Sequence, residues 1–72
     1  MLSNEAKRLK NIILDKAREY GFAKLEKEID VTRTQLSYLL SDNCTARCRK
    51  TLKKVAQYIG CMDFYTLFLL EI

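Results

Sequence analysis

The chain has no proline, no histidine and no tryptophan, and it holds only two glycines and three cysteines in 72 residues. Without proline nothing in the backbone forbids helix, so turns must come from glycine and short polar side chains. The absence of histidine removes the commonest general base, and no nucleophile stands with a recognisable partner. No catalytic residues are assigned and no enzyme is expected. A zinc site would have to combine Cys44, Cys48 and Cys61 with a carboxylate such as Asp63, a spacing that matches no familiar ligand pattern. No metal or other cofactor is therefore expected. An odd number of cysteines without a secretory signal argues against a disulfide framework, and all three are read as reduced thiols.

Long hydrophobic runs are also missing. The longest lies within Phe64–Leu70 and is broken by Thr66, far short of the roughly 20 residues a membrane span needs. A soluble, cytoplasmic protein is expected, with no membrane partner and no small-molecule substrate. A chain this short builds a single core, so residues 1–72 are read as one domain.

What is present favours helix. Hydrophobic residues make up 49% of the chain and charged residues 31%, and apolar positions alternate with charge clusters. The expected class is all-α, a compact bundle of five short helices. The net charge of +4 is unevenly placed. Between Val31 and Lys54 six basic residues (Arg33, Arg47, Arg49, Lys50, Lys53, Lys54) face one acid, Asp42, for +5, while seven basic and eight acidic residues elsewhere give −1. Such a local excess attracts a polyanion or an acidic protein surface; the plainer reading is a solvated helix face.

Along the chain, Ser3 or Asn4 is suited to cap a first helix with apolar positions Ala6, Leu9, Ile12, Ile13, Ala17 and Tyr20, ended by Gly21. Its charges, Lys10 among them, alternate in sign as on a solvated face. Phe22, Leu25 and Ile29 define a short second helix ending at Asp30, a residue type that tolerates left-handed torsions. Thr32 then caps a third helix, Thr32 to Leu40, with Leu36, Leu39 and Leu40 inward and Arg33, Thr34, Gln35 and Tyr38 outward. Ser41, Asp42 and Asn43 end it, and a loop leads through Cys44 and Thr45. A fourth helix carries Leu52, Val55, Ala56 and Ile59 inward, its basic residues spread over its start and outer face, and stops at Gly60. Asp63 is suited to cap the last helix. There Phe64, Leu67 and Phe68 form a stripe that Tyr65, Leu69, Leu70 and Ile72 widen almost all round. Phe64, Tyr65, Phe68, Leu69 and Ile72 are accordingly candidates for an oligomer interface.

Two short helices joined by a tight turn, then a loop and a basic helix, is the layout of a helix-turn-helix. The segment LEKEIDVTRTQLSYLLSD is similar to that unit in the Cro and phage-repressor family, and TLKKVAQYIGC resembles the family's fourth helix. Val31 matches the buried turn valine, Thr32 the capping hydroxyl, Leu36 the buried aliphatic residue of the recognition helix and Ser37 its small polar neighbour. The resemblance implies operator binding, with Thr32, Arg33, Thr34, Gln35 and Tyr38 at the DNA or partner face, Arg33 suited to guanine and Gln35 to adenine. Arg47, Arg49 and Lys50 would then contact phosphates.

Three residues depart from the family pattern. Glu26 stands where a small side chain is usual, Asp30 replaces the turn glycine, and Phe22 replaces a polar phosphate contact. With Glu28, the acids Glu26 and Asp30 make the neighbourhood repel phosphate and attract a basic protein surface. The chain thus most resembles the modulator-of-repression (antirepressor) proteins of temperate phage switches. The implied partner is the cognate phage repressor, whose DNA-binding domain would be covered, with Tyr38 as the large anchor. Direct operator binding as a Cro-like homodimer is the alternative, and a toxin-antitoxin or plasmid regulator on the same fold is a third.

Overall fold

A computed structural model describes residues 2–41, 44 and 48–72. The expected turn residues Asp42 and Asn43, the loop residue Thr45 and the phosphate-contact candidate Arg47 lie outside the described residues. Five α-helices follow one another among the described residues: α1 Asn4–Tyr20, α2 Phe22–Glu28, α3 Arg33–Leu40, α4 Arg49–Ile59 and α5 Met62–Leu70. No strand occurs among the described residues. None of the described helices is long and apolar enough to cross a membrane.

The longest helix, α1, organises the others. Seventeen residues at ~1.5 Å each span about 25 Å, most of the molecule's 30 Å long axis. Ser3 caps it, its hydroxyl accepting from the Ala6 N–H at 3.1 Å, and Glu5 in the first turn pairs with Arg8. The Arg8 guanidinium, chiefly through its hydrogen bond, holds the Glu5 carboxyl below its usual range. Gly21 ends the helix at φ 93°, a torsion strained for any L side chain, and its N–H donates to the carbonyls of Ala17 and Arg18. The same glycine opens α2, its carbonyl accepting from Lys24 and Leu25.

Because α1 packs against all four other helices, most extensively α5, its buried arc is wider than one stripe. Leu14 and Lys10 join Ala6, Leu9, Ile13 and Ala17 inside, whereas Ile12 is half-buried and Tyr20 is exposed. Lys10 corrects the expectation of a solvated residue. It is 3% exposed and donates from Nζ to the Ser41 carbonyl at 3.2 Å, placing a cation at the C-terminal end of α3, where the helix dipole favours one.

The α2–α3 connection also differs from expectation. α2 stops at Glu28, with Ile29 extended at φ −130° and its N–H donating to Leu25, while Val31 turns back to donate to the Ile29 carbonyl at 2.8 Å. No residue other than glycine has a positive φ among the described residues. Asp30 therefore does not take a left-handed conformation, and an extended turn needs no glycine there.

In α4, Leu52, Val55 and Ala56 are buried and Ile59 half-buried; Gly60 closes the helix in the left-handed region at φ 77°. α5 starts after Cys61, and Asp63 sits within its first turn rather than at its cap. Tyr65 and Phe68 are buried, Phe64 is half-buried, and Leu67, Leu69, Leu70 and Ile72 are exposed. The expectation that Tyr65 and Phe68 face a second subunit is thus corrected: both belong to the chain's own core, 6.2 Å apart between ring centroids. Leu40, expected inside, is also exposed.

The cysteines differ as well. Cys44 and Cys48 are joined in a disulfide, with Cα atoms 6.4 Å apart, and only Cys61 is a buried free thiol. Both bonded cysteines belong to the hydrophobic core cluster, which brings them together across the connection between α3 and α4. The expectation of three reduced thiols therefore holds for Cys61 alone.

Candidate interaction surface

The residues of α3 are sorted by its periodicity. Leu36 and Leu39 are buried and Val31 seats the turn, while Arg33, Thr34, Ser37 and Tyr38 face outward. The start of the helix is a reciprocal capping box. The Gln35 N–H donates to Thr32 Oγ1 at 3.1 Å, and the Thr32 N–H donates to Gln35 Oε1 at 2.9 Å. This bears on the base-reading assignment of Gln35. A bidentate contact to adenine needs the amide oxygen as an acceptor, and that oxygen is already turned back onto Thr32. Arg33, Thr34 and Tyr38 keep outward positions.

The three acids beside α3 stand in different surroundings. Glu26 is half-buried on α2, whereas Glu28 is exposed. Two residues apart on a helix, they point in roughly opposite directions and do not form one row. Asp30 extends fully into solvent, its carboxylate 3.7 Å from Lys54 Nζ, and Lys54 also donates to the Asp30 backbone carbonyl at 2.9 Å. One lysine of the central basic excess is thereby held against the acid expected to oppose it. An ion pair this exposed contributes at most about 1 kcal/mol, so it orients the turn more than it stabilises the fold.

Arg49 and Lys50 are exposed in the first turn of α4, which contains no acid. The composition signalled this patch; it gave no signal for the depression beside it. Ile29, Asp30, Lys54, Gln57 and Tyr58 line an open groove of about 400 Å³ between the α2–α3 turn and α4. Tyr58 meets Tyr20 edge-on at 5.8 Å, and Lys24 Nζ lies 6.0 Å from the Tyr20 ring centroid. The groove escapes sequence reading because its residues come from two elements 24 or more positions apart. No group of histidine, cysteine or acidic side chains suited to a metal ion occurs among the described residues.

No protein-family model, no curated protein and no solved structure matches the chain.

Proposed function

We propose that α2, the Ile29–Thr32 turn and α3 form a helix-turn-helix whose outward face docks on a protein: the DNA-binding domain of a cognate repressor in a phage or prophage switch. The chain is then an antirepressor. It covers the groups with which the repressor would touch its operator, and repression is lifted by competition.

The observation that carries this reading is the combination at the start of α3. Gln35 directs its acceptor oxygen to Thr32, while Glu28 is exposed at the end of α2 and Asp30 projects its carboxylate into solvent beside Lys54. That arrangement weakens base reading and repels phosphate, yet it complements a basic protein surface. Arg33, Thr34 and Tyr38 remain to make the contact, and an exposed tyrosine is a suitable anchor.

Direct operator binding is the second reading, favoured by the exposed Arg49 and Lys50. A Cro-like dimer would have to use Leu67, Leu69, Leu70 and Ile72, since Tyr65 and Phe68 are interior.

Co-expression with the repressor of the same switch, followed by size-exclusion chromatography, separates the two. Co-elution with loss of the repressor's operator shift supports the antirepressor. Separate elution, with a shift of operator DNA by this chain alone at low salt, overturns it. The double variant Glu28→Lys, Asp30→Asn sharpens the test and stays folded, because Lys54 keeps its bond to the Asp30 carbonyl. Capture of the repressor should weaken while any DNA binding is retained or improved; undiminished capture in a pull-down rules out a role for these acids.

A further inference from the structure

Among the described residues, the first turn of α4 lacks the side-chain bonds that secure the starts of α1 and α3, and the acid present in α1. α1 has Ser3 and Glu5, and α3 has its capping box, but Cys48 makes no side-chain cap bond and no acid lies in the first turn of α4. Arg49 and Lys50 instead put two cations at the positive end of the helix dipole. The bond from Cys48 to Cys44 ties this turn to the preceding connection, with both cysteines almost fully buried and their Cα atoms 6.4 Å apart, within the usual range for a bridge.

We infer that Cys44 and Cys48 form a reversible thiol–disulfide couple that fixes or releases the first turn of α4, and with it Arg49 and Lys50. The inference is independent of what the surface binds. In the oxidising direction a cysteine thiolate attacks a small-molecule disulfide, whose S–S bond breaks to leave a mixed disulfide and one released thiol. The second cysteine displaces the remaining half. One protein S–S bond forms, two small thiols leave carrying the two cysteine protons, and the small disulfide is reduced. Excess monothiol reverses each step. Local opening of this turn gives the reagent access to the buried sulfurs. In the reduced form two buried thiols pack as small apolar groups, so the helical fold persists while the start of α4 loses its tether.

The test uses the whole chain equilibrated in oxidised or reduced glutathione, alkylated and weighed, with amide hydrogen exchange followed in parallel. The reduced chain should take three alkyl groups and the oxidised monomer one. The Leu52 and Lys53 amides, which donate to the carbonyls of Cys48 and Arg49 in the helical pattern, should exchange about tenfold faster when reduced. Amides of Leu9 to Ile13 in α1 should not change. Three alkyl groups under both conditions, or equal exchange at Leu52 and Lys53, overturns the inference. A Cys61→Ser chain should pass from two alkyl groups to none; in Cys44→Ser, the same passage within a monomer would assign the pairing to Cys61 and overturn it as well.

Discussion

α3 begins with Thr32 and Gln35 clasped to each other's backbone, whereas α4 begins at Cys48 with no side-chain cap bond from that residue, no acid in its first turn and two adjacent cations. Both first turns border the proposed interaction surface. The difference is one of dependence: α3 is secured by residues within its own first turn, and by Lys10 at its far end, while α4 relies on a cysteine from the preceding connection. A surface built on α3 is therefore present whenever the core is formed. The separate Arg49–Lys50 patch depends on the state of two sulfurs.

The largest effect should come from the far end of α3. Lys10→Ala removes a charge-assisted hydrogen bond to the Ser41 carbonyl and the packing of a buried stem, and should cost about 3 kcal/mol in urea unfolding. An effect under about 1 kcal/mol, the range of ordinary surface changes, would mean that α3 is not secured from α1. Reduction of the Cys44–Cys48 bond comes next. Closing so short a loop restricts the unfolded chain by about 2 kcal/mol, so the urea midpoint of the wild-type chain should fall accordingly under excess thiol. Thr32→Ala removes the capping acceptor at the start of α3 and should cost about 1 kcal/mol, whether the cysteines are oxidised or reduced. If the Thr32→Ala penalty changed with redox state, the two helix starts would be coupled and the contrast between them would fail.

Much of this contrast was legible in the residues. Ser3, Thr32, Gly21 and Gly60 mark helix ends through local chemistry, and Val31, Leu36 and Leu39 mark the inner face of α3 through spacing; the structure has them as read. Where the reading failed, the deciding partner lay far away in the chain or the pattern carried no phase. Lys10 looks like a surface lysine until α3 ends above it, 31 positions on. α5 is apolar on nearly every side, so periodicity could not tell that Tyr65 and Phe68 face inward and Leu67 and Leu70 outward. Gln35 carries the sequence signature of both a capping box and a base contact, and only the observed bonds to Thr32 separate them. The pairing of Cys44 with Cys48 depends on the core drawing both inside, which spacing alone does not encode.

The smallest expected effect is the most selective. Lys50→Glu exchanges a cation for an acid in the first turn of α4, where the dipole favours negative charge, and should stabilise the chain by about 0.5 kcal/mol. Because the new carboxylate supplies locally what the disulfide supplies at a distance, the redox difference in Leu52 exchange should shrink in this variant. The same change subtracts two charges from the basic patch. If Arg49 and Lys50 contact phosphate, DNA binding should weaken and its salt dependence flatten. If the partner is a repressor met through Arg33, Thr34 and Tyr38, capture should hardly change. A Lys50→Glu chain that is no more stable than wild type, with its redox difference in exchange intact, would mean that the missing acid is not what leaves α4 dependent on its cysteines.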